Sequence, residues 1–141
     1  MDLAERTDLW RSILAGEVDV PGVPKPADFV VERNEQVVGF ADVGRFRDEP
    51  ERLEAGELWA MYVAPSEWGN GAGPALMEAT IDELARLSCT VAYLWVLEEN
   101  PRARRFYERS GWTNDNITKP FEINGVSIAE IRYSTPVSDR Q

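Results

Sequence analysis

The chain has 141 residues, 25 of them acidic, 15 basic and none histidine, for a net charge of −10. That length suits a single domain over 1–141, no apolar run nears the ~18 residues of a membrane span, and the N-terminus lacks the apolar core of a secretory signal. Without histidine there is no His-based triad, no Cys–His dyad and no ordinary zinc site; the acidic surface disfavours nucleic acid, and the single cysteine, Cys89, fits a reducing cytoplasm.

In chain order, Leu9, Trp10, Ile13 and Leu14 predict a short amphipathic helix over 5–15, stopped by Gly16. Pro21, Pro24 and Pro26 stiffen the loop that follows. Two alternating runs, 29–32 and 37–43, flank Asn34-Glu35-Gln36 and predict a hairpin. A charged loop spans 47–56. Runs 57–63 and 91–97 are nearly continuous in apolar residues, as in strands covered on both faces. Between them Leu76, Met77, Ile81 and Leu84 trace a helix over 72–88, so this unit reads as a right-handed parallel crossover. Asn100 as N-cap and Pro101 at the first helical position open a second helix, ended by Gly111. Asn124-Gly125 joins a closing hairpin. The order describes an α/β fold with a mixed sheet of about six strands flanked by helices.

The chemistry concentrates where the first crossover strand meets its helix, Val63-Ala64-Pro65-Ser66-Glu67-Trp68-Gly69-Asn70-Gly71-Ala72-Gly73-Pro74. Glycines there let backbone N–H groups approach a ligand, and a helix N-terminus adds unpaired donors and a favourable dipole. The combination suits a phosphate or diphosphate. It is no mononucleotide P-loop, because Pro74-Ala75 follows Gly73 in place of Lys-Ser/Thr. The glycine spacing also misses the dinucleotide fingerprint.

Residues 57–112 resemble the GNAT superfamily of N-acetyltransferases. Val63-Ala64-Pro65 with Trp68-Gly69-Asn70-Gly71-Ala72-Gly73 is similar to its Val-x-Pro strand end and Arg/Gln-x-x-Gly-x-Gly/Ala loop. Asn100, Ala103, Phe106, Tyr107, Gly111 and Trp112 match its Asn-x-x-Ala-x-x-Phe-Tyr-x-x-x-Gly-Phe/Trp signature. Two departures stand out. Trp68 replaces the loop's usual Arg or Gln, and the chain reads as lacking the strand that usually precedes the first helix, which leaves monomer and homodimer both open.

The resemblance implies acetyl-CoA as cosubstrate, no metal, and acetyl transfer to a primary amine by direct attack in a ternary complex. It places the diphosphate on Trp68, Gly69, Asn70, Gly71, Ala72, Gly73 and Pro74, and the pantetheine arm against the backbone of Tyr62, Val63 and Ala64. Asn100 would touch that arm. Arg102, Arg104, Arg105 and Arg109 form a basic patch in an otherwise acidic chain, and one or two of them, Arg104 foremost, are expected to take the 3′-phosphate. Tyr107, two helical turns beyond Asn100, would protonate the departing thiolate. Glu57 is the candidate general base and Glu98 the runner-up. The acidic residues Asp19, Asp28, Asp48, Glu49, Glu51, Asp115 and Glu122 in the loops suggest a cationic acceptor. The alternatives are a non-catalytic acyl-CoA sensor and, with room near Met61 and Tyr93, a larger acyl group.

Overall fold

Alternation of period two, interrupted by turn residues, organises about half of the described residues into one sheet. The computed structural model describes residues 11–14 and 26–138. Its strands are β1 (Arg11–Leu14), β2 (Ala27–Arg33), β3 (Gln36–Arg45), β4 (Ala55–Val63), β5 (Val91–Leu97), β6 (Thr113–Ile123) and β7 (Val126–Pro136). Two α-helices, α1 (Ala72–Arg86) and α2 (Pro101–Arg109), and a 3-10 turn at Pro65–Glu67 complete the described elements. The sheet order is β1-β2-β3-β4-β5-β7-β6. Every neighbouring pair is antiparallel except β4 and β5.

One expectation is overturned at the start. Residues 11–14 are a strand, with Arg11 opposite Val30 and Leu14 opposite Ala27, so the sheet has its short first strand after all. Four apolar positions fit helix and strand templates equally well, and the unpaired outer edge of β2 decides between them. The rest of the expected helix and most of the proline-rich loop lie outside the described residues. The other elements fall where the patterning puts them. The hairpin turn is Asn34-Glu35, both in left-handed conformation with φ of 54° and 65°, which matches the twist of the flanking strands. The segment from Phe46 to Ala55 is a run of hydrogen-bonded turns.

α1 lies across β2, β3 and β4 and buries Leu76, Met77, Thr80 and Leu84. The main core joins these to Ala41, Val43, Leu58, Leu94, Val96, Tyr107, Trp112 and Tyr133. A smaller cluster of Phe46, Ala55 and Tyr93 lies apart from it, with Phe46 stacked on Tyr93 at 4.3 Å between ring centres. Cys89 is buried near the end of α1, and burial pushes its thiol up.

Close approach of α1 to β4 depends on Gly56. A Cβ there would run into Leu84 Cδ2 and sit 3.0 Å from Cys89 Sγ. Gly56→Ala is expected to destabilise the fold by about 1–3 kcal/mol, the usual cost of overpacking. Urea denaturation followed by tryptophan fluorescence measures it.

Candidate active site

Parallel pairing of β4 with β5 covers only three rungs, from Ala55 opposite Val91 to Glu57 opposite Tyr93. Beyond them the strands are no longer paired with each other. At the same place the β3–β4 register shifts: Asp42 faces Ala60, Val43 faces Leu58, and Trp59 is the extra residue of a bulge. Bulges bend a strand and end regular pairing. β4 therefore keeps β3 on one side and has an open edge on the other.

Ladder parity tells which backbone groups face that opening. Ala64 N–H donates to Val38 O at 2.8 Å, so Ala64 points at β3. By alternation the backbone groups of Met61 and Val63 point at the gap. Of the three residues expected to hold a pantetheine arm, Val63 presents its backbone, Ala64 spends its N–H on β3, and Tyr62 contributes an exposed ring at the cleft wall. Met61 was missed. Only its register in the ladder reveals it.

The glycine turn follows a single 3-10 turn, Pro65–Glu67. Gly69 and Gly71 adopt φ of 82° and 92°, which an L side chain resists. Gly71 is the N-cap of α1 and offers no side-chain cap. The N–H groups of Trp68 and Asn70 are satisfied internally, by Pro65 O and Glu67 O. Those of Gly69, Gly71, Ala72 and Gly73 find no acceptor among the described residues. Pro74 has no N–H to leave bare. Gly73 also brings α1 against α2, since a Cβ there would stand 3.0 Å from Phe106 Cε1. Trp68 lies at the rim, its indole N–H donating to Val63 O at 3.0 Å and its face covered by the Arg102 guanidinium at 3.6 Å.

α2 supplies the opposite wall. Asn100 caps it, with Oδ1 accepting from Ala103 N–H at 3.2 Å. Tyr107 lines the cleft yet is only 8% exposed, set edge-on to Phe106 and Trp112. Burial pushes its phenol up to about 12, so it carries its proton throughout the neutral range. Together the open edge of β4, the turn and α2 enclose a cleft of about 1150 Å³, enough for a ligand larger than most drug-sized ones.

The model of the acetyltransferase (GNAT) family matches residues 5–112. The chain belongs to the GNAT family. It is 33% identical over 101 residues to an uncharacterized N-acetyltransferase, YuaI, of Bacillus subtilis (strain 168), covering 71% of this chain and 56% of that protein. Spermine/spermidine N(1)-acetyltransferase of the same strain is 34% identical over 95 residues, 65% of this chain and 60% of the relative. The GNAT chain thus spans a little over half the length of these curated relatives. Its fold matches that of YncA of Salmonella typhimurium, solved with its cofactor acetyl-CoA, at a TM-score of 0.69 and 23% identity, covering 82% of this chain and 66% of that one.

In this GNAT fold Arg104 does not reach the cleft. Its Nε donates to Tyr133 Oη at 3.1 Å and its Nη1 to Glu98 O at 3.1 Å, while Tyr133 Oη donates to Glu108 Oε2 at 2.7 Å. The reason is helical geometry: at 3.6 residues per turn Arg104 lies roughly 160° around α2 from Phe106. The arginines that line the cleft are Arg102, Arg105 and Arg109. A helical wheel of α2 would have separated the two sets.

Glu57 also has another occupation. It is 1% exposed and receives three bonds from Arg47: from the backbone N–H at 2.9 Å, Nε at 3.2 Å and Nη2 at 2.8 Å. Arg47 in turn lies over the Trp59 ring at 4.4 Å. Because Gly56 and Leu58 face α1, Glu57 faces the other side of the sheet. On that side Asp28 and Asp42 stand opposite each other, one strand from the bulge. Burial first, then the hydrogen bond and charge of Asp28, push Asp42 up to about 7, with Arg47 pulling the other way. Asp28 Oδ1 is buried and has no hydrogen-bond donor among the described residues. The remaining acidic candidates are largely spoken for: Asp48 accepts from Trp95 Nε1, Glu49 pairs with Arg52, and Asp115 holds Arg132 and Ser134. Asp19 lies outside the described residues.

Coenzyme A titrations check which arginines face the cleft. Arg102→Ala and Arg105→Ala are each expected to weaken binding about threefold to tenfold through a lost charge-assisted contact. Arg104→Ala is expected to change it less than twofold.

Proposed function

We propose that this chain is an acetyl-CoA-dependent N-acetyltransferase acting on a primary amine of a small molecule or peptide within a ternary complex. The observation that carries the reading is the open edge of β4 beside four bare turn amides. The residues suit a diphosphate joined to an amide-bearing arm: Gly69, Gly71, Ala72 and Gly73 for the diphosphate, Met61 and Val63 for the arm, Asn100 beside it, and Arg102 and Arg105 for the remaining phosphate. When bound, acetyl-CoA supplies an acetyl group activated as a thioester.

This chain's own groups then divide the work. A β4 N–H facing the gap donates to the thioester carbonyl oxygen, an arrangement worth a few kcal/mol in other enzymes. Tyr107 donates to the departing sulfur. A phenol held near 12 gives up its proton to an ordinary thiolate only uphill, so its contribution is a hydrogen bond that strengthens as charge builds on sulfur. Direct attack is supported by Cys89, a buried and deactivated thiol that is a poor covalent carrier.

An amine of pKa ~10.4 must shed a proton before it attacks. With the helix side of the gap given to acetyl-CoA, the amine approaches from the other face. Glu57 has its oxygens committed to Arg47, so we assign it to anchoring that arginine and assign proton acceptance to Asp42, directly or through water. The Asp28–Asp42 pair, with Asp28 on β2 instead of in the loop where the sequence put it, also favours a cationic acceptor. A spermine/spermidine N(1)-acetyltransferase among the relatives supports that choice.

Two measurements test the roles. A base must be deprotonated to act, so kcat/KM is expected to rise as pH passes upward through about 7. Asp42→Asn should remove that rise and Glu57→Gln should leave it in place; the reverse pattern returns the base to Glu57. Tyr107→Phe should lower kcat about tenfold to a hundredfold with the coenzyme A affinity nearly unchanged. Equal loss of both would reduce Tyr107 to packing, and coenzyme A binding with no thiol release for any amine would make the chain a sensor.

A further inference from the structure

A carboxylate is out of place in a diphosphate site, yet Glu67 lines this cleft beside Trp68 and Gly69. It is 8% exposed, so water does little to screen it. Left alone it would oppose every negative charge brought to the turn. The structure answers it from a distant element. Arg33, the last residue of β2, donates from Nε to Glu67 Oε1 at 2.7 Å, across 34 positions of sequence. The two side chains are 22% and 10% exposed. Glu67 is also tied through its backbone, its N–H donating to Ala64 O and its carbonyl accepting from Asn70 N–H. The side chain that Arg33 neutralises therefore belongs to the turn from which the bare amides project.

We propose that Arg33 is a positioning residue for coenzyme A: its ion pair with Glu67 cancels the one carboxylate on the diphosphate turn. The inference rests on the reading of the cleft as a coenzyme A site. Arg33 itself touches no substrate in this account. It acts through Glu67, so removing Glu67's charge should make Arg33 largely dispensable.

The test is isothermal titration of coenzyme A into the wild type, Arg33→Met, Glu67→Gln and the double variant. Arg33→Met should weaken binding about tenfold or more, because a buried carboxylate has lost its partner. Glu67→Gln should stay within about threefold of wild type, and the double variant should recover to that same level. Turnover of S-acetylpantetheine, which lacks the diphosphate, should not respond to Arg33→Met. A double variant as weak as Arg33→Met, or an Arg33→Met protein that binds normally, overturns the proposal. If Arg33→Met does not fold, Arg33→Lys keeps the charge without the guanidinium and should bind within about threefold of wild type; a larger loss overturns it equally. A wild type that does not bind coenzyme A at all removes the underlying reading, and is distinguished by the first titration alone.

Discussion

Everything in this molecule that points to chemistry follows from two parallel strands that pair for three rungs and then stop. Backbone N–H and C=O groups are obligatory hydrogen-bonding groups, and a sheet interior normally satisfies them all. Here the bulge at Trp59 ends the pairing in the middle of the sheet, not at its edge. The groups left over on β4 face a cleft, and at the end of the same strand lie further donors on the glycine turn. In the function proposed for this chain, a ligand with an amide-bearing arm and a diphosphate head would complete both sets at once.

The electrostatics run against the overall charge. A chain with net charge −10 is a poor partner for a polyanion in bulk, so binding has to be local. Bare amides at the start of α1, Arg102, Arg105 and Arg109 on α2, and cancellation of Glu67 by Arg33 make the cleft favourable within an acidic surface. The opposite face has the reverse character. There Arg47 is matched by Glu57, and Asp28 and Asp42 stand side by side, where the proposed reaction brings in its amine. The split sheet separates the two fields.

Much of this was legible in the residues. The strand–helix–strand unit, the Asn100 cap and the Asn-Gly turn carry local signals, because each depends on neighbours three or four positions away. The glycine turn announced its bare amides for the same reason. What escaped depends on partners distant in sequence. The bulge at Trp59 exists only in register with β3, and with it the exposure of Met61. Arg33 and Glu67 meet across 34 positions. Glu57 stands out in the sequence for its place on the strand, and nothing there tells that Arg47 holds it. The strand at 11–14 was lost to an apolar run too short for its period to decide. Arg104 is different: its side of the helix was computable from spacing.

The central claim is that the amides of Met61, Val63, Gly69, Gly71, Ala72 and Gly73 await a ligand. Amide hydrogen exchange resolved residue by residue, with and without saturating coenzyme A, tests it most directly. The account predicts marked slowing at these positions, on β4 and on the turn together. Unchanged exchange there, with protection appearing elsewhere or nowhere, would contradict it.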